Sequence, residues 1–212
     1  MKIGIFGGSF DPVHYGHLIL AEQCREQAGL DRVIFVPATV SPLKTDGPAA
    51  SDKHRLQMLS LAIAGHTDFE ISTCEIDRGG KSYTVDTLNE FKTLYENDDL
   101  YFLMGQDSVA TFCKWKSPAE ILQLASPLVV RRPRAVNDGE GIAADLEGLK
   151  EFMDTEAWQK ATDQTIQSRL IDISSTDIRN RVGEGQSIKY LVPRAVEKYI
   201  ETNKLYQNSG KQ

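Results

Sequence analysis

The stretch Lys2 to Leu20, K-I-G-I-F-G-G-S-F-D-P-V-H-Y-G-H-L-I-L, limits what this chain can fold into more than any other. Its apolar run, Ile3, Ile5 and Phe6, predicts a buried strand over residues 2–7. Gly7 and Gly8 then mark a tight turn, and an apolar helical pattern begins after Gly16. A strand, a turn and a helix start in that order aim backbone N–H groups and the positive end of a helix dipole into one small space. Such a space favours an anion, most often a phosphate. His14 and His17, three apart at the helix entrance, fall on one side of the first turn and face that pocket.

From there strand and helix alternate. The first helix runs to Ala28 and is closed by Gly29, and Arg32–Pro37 is the next strand. A right-handed crossover puts both strand C-termini on the edge where ligands bind in open parallel sheets. Residues 38–50 read as a loop carrying Lys44, and Ser51 caps a helix through Ala64. Residues 69–77 suggest two short strand-like pieces, and Ser82 is placed to cap a helix from Tyr83 to Tyr95. Leu100–Met104 is the clearest central strand and delivers Gly105 and Asp107 to the edge that holds Gly7. Pro118 opens a helix to Leu124, and the strand Pro127–Val130 ends at Arg131 and Arg132. Residues 133–165 are Gly-, Asp- and Glu-rich with short helical patches, which reads as a variable insertion on one α/β domain. Leu170–Ile173 is expected to restore a strand, Ser174-Ser175-Thr176 to open a helix containing Arg179, and Val196, Tyr199 and Ile200 to mark the last helix. The domain spans residues 1–206, and the polar residues 207–212 are expected to be disordered.

Composition excludes several function classes. A length of 212 residues suits one large α/β domain with a sizeable core. The net charge of −6 argues against a nucleic-acid backbone as partner. Cys24, Cys74 and Cys113 are odd in number and form no C-x-x-C pair, which predicts reduced thiols in a cytoplasmic protein. No charged leader with an apolar core and no run of 18 apolar residues occurs, so neither secretion nor a membrane partner is indicated.

Two familiar phosphate loops do not fit the first stretch. No Lys-Ser or Lys-Thr pair follows the glycines, and Gly4, Gly7 and Gly8 are misplaced for G-x-G-x-x-G. Zinc binding by His14 and His17 lacks a Cys or carboxylate at ligand spacing. What remains is G-S-F-D-P-V-H-x-G-H, joined by a second element, I-S-S-T-x-I-R from Ile173 to Arg179. A strand end followed by hydroxyl residues and a helix start is another anion-binding N-terminus, with Arg179 able to fork onto phosphate oxygens. Ser and Thr cap helices in many settings, so the second element is ambiguous alone and gains meaning from the first.

The pair of elements resembles the nucleotidyltransferase superfamily with an H-x-G-H phosphate loop, and within it the bacterial nicotinate-nucleotide adenylyltransferases. S-Y-T at Ser82–Thr84, G-Q-D-S at Gly105–Ser108, Trp115, R-R-P at Arg131–Pro133 and Y-L-V-P at Tyr190–Pro193 extend the resemblance to about residue 203. It implies a Rossmann-like, doubly wound, mostly parallel sheet and transfer of AMP from ATP to nicotinate mononucleotide, with Mg²⁺ accompanying ATP. Pantetheine phosphate as acceptor, or a nucleotide-sensing module without turnover, are the alternatives. The resemblance assigns His14, His17 and Arg179 to catalysis. It assigns Gly8, Ser9, Phe10, His17, Gly105, Asp107, Ile173, Ser174, Ser175 and Arg179 to ATP, and Ser9, Lys44, Thr84, Trp115 and Arg132 to the acceptor. No protein metal ligand is expected, and the protein acts as a monomer or homo-oligomer. The family's P-H-K loop here reads Pro42-Leu43-Lys44, and Lys116 stands where an aromatic often follows the tryptophan.

Overall fold

The computed structural model describes residues 1–40, 47–131, 142–168 and 171–207. In chain order the elements are β1 (Lys2–Gly8), α1 (Tyr15–Ala28), β2 (Arg32–Pro37), α2 (Asp52–Ile63), β3 (Phe69–Ile71), α3 (Cys74–Arg78), α4 (Thr84–Leu94) and β4 (Asp99–Gly105). They continue with α5 (Gln106–Val109), a 3₁₀ turn at Phe112–Lys114, α6 (Pro118–Leu124), β5 (Ser126–Arg131), α7 (Ile142–Lys150), α8 (Thr155–Asp163), β6 (Ile166–Gln167), α9 (Ser175–Gly183) and α10 (Arg194–Thr202). The strands form one sheet in the order β3-β2-β1-β4-β5-β6. Every pairing between them is parallel.

Period-two alternation along the strands feeds two cores. Phe6, Val33, Phe35, Leu103 and Leu128 face one side and pack with Ala21 and Cys24 of α1, Met58 and Leu59 of α2, Ile178 of α9 and Val196 of α10. Ile3, Ile5, Ile34, Val36, Phe102 and Val129 face the other and pack with Leu88 and Phe91 of α4 and Ile121 of α6. A sheet buried on both faces reads as nearly continuous apolar strands, as these do. The sheet is therefore doubly wound, as the sequence implies. The chain leaves β1 toward β2 and β3, then returns to lay β4 on β1's other side. That reversal opens a crevice at the C-terminal ends of β1 and β4.

Three local expectations are corrected. After β3 the chain forms the short helix α3, not a second strand, closed at Gly79 with φ 69°. Ser82 does not cap α4: Tyr83 holds that position, and the Ser82 hydroxyl accepts the Thr39 N–H at 3.1 Å. Residues 171–174 carry no strand; β6 lies earlier, at Ile166–Gln167, paired with Val130 and Arg131 of β5. The segment read as an insertion with short helical patches contains α7 and α8, each nine residues long. Leu146 and Leu149 are fully buried in the second core, and a Cβ at Gly148 would sit 2.4 Å from the Val109 carbonyl oxygen. These helices extend an existing core, which needs few apolar residues of their own. Among the described residues, no helix is long and apolar enough to cross a membrane.

Candidate active site

The β1–α1 loop is shaped by close approach. A Cβ at Gly8 would lie 2.9 Å from the Phe10 ring, and one at Gly16 would lie 2.9 Å from His14 Nδ1. Phe10 itself has φ 46°, the left-handed region that an aromatic residue rarely adopts. Such a backbone costs on the order of 1–3 kcal/mol and persists only where packing enforces it. Here the ring is buried against Phe6, Phe35 and His17, with centroids 5.4, 5.6 and 5.0 Å away.

His14 and His17 stack, ring centroids 3.7 Å apart and planes 24° from parallel. The His14 backbone N–H donates to His17 Nδ1 at 3.2 Å, so a neutral His17 carries its proton on Nε2 and offers a donor there. His14 is 6% exposed, and its Nδ1 has no partner among the described residues. Burial lowers its pKa from 6.5 to about 4, so at neutral pH it is an uncharged hydrogen-bonding group.

That shift has a stability consequence with a definite sign. Between about 4 and 6.5 the unfolded chain binds a proton at His14 that the folded chain refuses. The contribution is complete above pH 6.5 and is lost as pH falls toward 4, reaching about 3 kcal/mol. Urea denaturation of the ligand-free protein across this window should show a steeper loss for wild type than for His14→Asn. Parallel pH profiles for the two proteins would contradict it.

The second motif meets the first across the whole chain. Arg179 Nη1 donates to the Asp11 carbonyl oxygen at 2.7 Å and Nη2 to Thr176 Oγ1 at 3.2 Å. Ser175 Oγ donates to the Pro12 carbonyl oxygen at 2.9 Å. The Ile173 carbonyl oxygen would lie 3.6 Å from a Cβ at Gly16. Ser174 caps α9 by accepting the Asp177 N–H at 3.1 Å, while the N–H groups of Ser175 and Thr176 take no partner among the described residues. The start of α9 therefore presents open donors beside the loop that carries His14 and His17.

Gly105 and Asp107 stand at the end of β4 and the start of α5, both exposed. Thr84 is the first residue of α4, whose Thr84 and Val85 N–H groups take no partner among the described residues. Trp115 leans on Phe112 with centroids 5.3 Å apart, and its buried Nε1 has no partner among the described residues. The next residue, Lys116, donates to Asp86 at 2.8 and 3.0 Å and lies 4.8 Å over the Tyr83 ring, pinning the Trp115 segment to the first turn of α4. Lys44 and Arg132 lie outside the described residues.

Three residues near the loop were not singled out from the sequence. The Asp11 carboxylate accepts the Ala49 and Ala50 N–H groups at 2.6 and 3.1 Å and the Tyr206 hydroxyl at 2.7 Å. Burial, then the bond to Asp11, raises the Tyr206 pKa above the usual phenol range, so it remains a donor. Arg55 is fully buried beneath the loop. Asp11 sits inside the quoted motif and was legible there. Arg55 and Tyr206 carried no local signal, because a helix arginine and a tyrosine near the end of a chain are ordinary by pattern.

A Rossmann-like sheet with an H-x-G-H loop at its reversal point defines a nucleotidyltransferase, and the chain belongs to the cytidylyltransferase-like family, whose model matches residues 5–181. Its relatives place it more narrowly, among the nicotinate-nucleotide adenylyltransferases. A probable nicotinate-nucleotide adenylyltransferase of Thermoanaerobacter sp. (strain X514) is 42% identical over 208 residues, covering 98% of this chain and 95% of the relative. One from Roseiflexus castenholzii (strain DSM 13941 / HLO8) is 44% identical over 208 residues, covering 97% and 98%. The fold matches that of Plasmodium falciparum nicotinic acid mononucleotide adenylyltransferase, solved with NaAD, at a TM-score of 0.69 and 19% identity over 97% of each chain.

Proposed function

We propose that this chain transfers AMP from ATP to nicotinate mononucleotide, forming nicotinic acid adenine dinucleotide and pyrophosphate. The observation that carries this reading is the junction of two anion-binding segments 168 residues apart, made by Arg179 on the Asp11 carbonyl. Adenylyl transfer needs one anion site at the reacting α-phosphate and another for the departing β- and γ-phosphates. The acceptor phosphate has a second pKa of about 6 and is mostly dianionic at neutral pH, so no general base is required. One of its oxygens attacks the α-phosphorus in line, and the bond from that phosphorus to the oxygen bridging the β-phosphate breaks. Catalysis then rests on positioning and on donors aimed at developing charge.

The N–H groups of Gly8, Ser9 and Phe10, with His14 and His17, hold the reacting phosphates in this reading. Ile173, Ser174, Ser175 and Arg179 hold the pyrophosphate portion, and Gly105 and Asp107 border the adenosine. Lys44 and Arg132 meet the acceptor phosphate, and Thr84 and Trp115 the pyridine ring. Among the described residues, no group of three His, Cys, Asp or Glu could hold a metal ion. Mg²⁺ brought with ATP would be ligated by phosphate oxygens and neutralise charge on them. The three cysteines are free thiols, which fits a cytoplasmic setting.

Pyrophosphate release from ATP, measured with a panel of acceptors, tests the assignment. Turnover is expected with nicotinate mononucleotide. Turnover with pantetheine phosphate alone would move the substrate, and ATP binding without release for any acceptor would leave a sensing module. Arg179→Ala is expected to raise KM for ATP roughly tenfold with a smaller change in kcat, because the pyrophosphate portion is gripped in ground and transition states alike. A change confined to the acceptor KM would move Arg179 to the other site.

A further inference from the structure

Arg55 is the largest fully buried side chain among the described residues, 0% exposed, and no step of the reaction above uses it. It rises from the first turn of α2 under the β1–α1 loop. Nη1 donates to the Ser9 carbonyl oxygen at 2.6 Å, Nη2 donates to Asp52 Oδ1 at 2.5 Å, and Nε has no partner among the described residues. The carboxylate opposite it, on Asp52, is 39% exposed. A buried guanidinium with one half-solvated counter-ion is costly, and an apolar side chain of similar volume often serves stability as well or better. Linking α2 to β1 does not by itself explain the choice.

The peptide it grips does. In a trans peptide the carbonyl and the N–H point in opposite directions. With the Ser9 oxygen held on Arg55, the N–H of the same peptide unit, that of Phe10, points away from α2. No partner for that N–H exists among the described residues. The far side of the peptide is fixed as well, because the Phe10 ring is locked against Phe6, Phe35 and His17 while its backbone stays at φ 46°. Phe10 thus has the peptide on its amino side pinned by a cation and its side chain pinned by three rings. The result is an N–H donor that cannot turn away and that has a buried positive charge behind it.

We infer that Arg55 is a positioning residue for phosphate binding: it holds the Ser9–Phe10 peptide so that the Phe10 N–H meets a phosphoryl oxygen of the nucleotide. This rests on the reading of the β1–α1 loop as the phosphate site. Binding of ATP and of tripolyphosphate by titration calorimetry, with ¹H–¹⁵N spectra of the same samples, separates the two. In the wild-type protein the Phe10 amide proton should move downfield with either ligand. Arg55→Lys, which keeps the charge but loses the fork, should weaken both ligands by about tenfold and diminish that shift. Arg55→Met, lacking charge and donors, should weaken them further while retaining the wild-type circular dichroism. Wild-type affinity and an undiminished Phe10 shift in Arg55→Lys would make Arg55 a structural residue only. If the wild-type protein binds both ligands while the Phe10 amide stays unmoved, the inference is wrong without recourse to a variant. Failure of wild type to bind either ligand would instead remove the phosphate-site reading on which it stands.

Discussion

Replacing His17 with Ala is expected to lower kcat by roughly 10² to 10³, the loss seen when one donor to a developing oxyanion is removed. The ring's orientation is over-determined: Nδ1 accepts the His14 N–H, one face stacks on His14, and Phe10 meets it edge-on. A donor so fixed costs no reorganisation when charge grows on the α-phosphate. The same contact helps the ground state less, so the affinity for ATP should fall by a smaller factor. Saturating steady-state kinetics of pyrophosphate release, with melting temperature as a check on folding, distinguishes the two terms. An unchanged kcat would remove His17 from the chemistry.

The acceptor side carries the other large effect: kcat/KM should favour nicotinate mononucleotide over nicotinamide mononucleotide by at least about 10²-fold. A carboxylate accepts only, whereas a carboxamide also presents an NH₂ that needs an acceptor. The first turn of α4 offers the opposite: the N–H groups of Thr84 and Val85, and the Nε1 of Trp115 on the segment pinned to it, have no partner among the described residues. The helix dipole adds to the preference for an anion there. A buried donor set facing an NH₂ leaves both sides unpaired, which is why such sites reject near-isosteres strongly. Lys116 is not the source of the preference: its ammonium is paired with Asp86 and its side chain is 48% exposed. Exposed pairs of this kind contribute at most about 1 kcal/mol, so Lys116→Ala should leave the ratio within about fivefold. Equal turnover of the two mononucleotides would overturn acid specificity while leaving adenylyl transfer intact.

Much of this was legible because the signals are local. Gly7 and Gly8, with an apolar strand before them and an apolar helical pattern after Gly16, specify a strand–turn–helix junction by demands acting within a few residues. Ser174 announced the start of α9 in the same way, through a cap that spans three residues. The alternation of strand and helix then predicted a parallel sheet, since a parallel pairing requires a crossover.

What sequence pattern missed lies where tertiary contacts outweigh local preference. Cys74–Arg78 has strand-like composition but folds as α3, because β3 pairs with β2 over only three residues and the chain must turn back to reach α4. β6 forms two residues of strand at the place where β5 leaves an edge, and the apolar run further on stays unpaired in the described residues. The residues of both motifs were named by the sequence alone. Only the tertiary structure decided how they meet, with Arg179 and Ser175 bonded to carbonyls of the first loop, Asp11 tied to Tyr206, and Arg55 buried under Ser9. Such contacts join residues 46 to 195 positions apart, and no periodicity or spacing in a single chain encodes a distance of that kind.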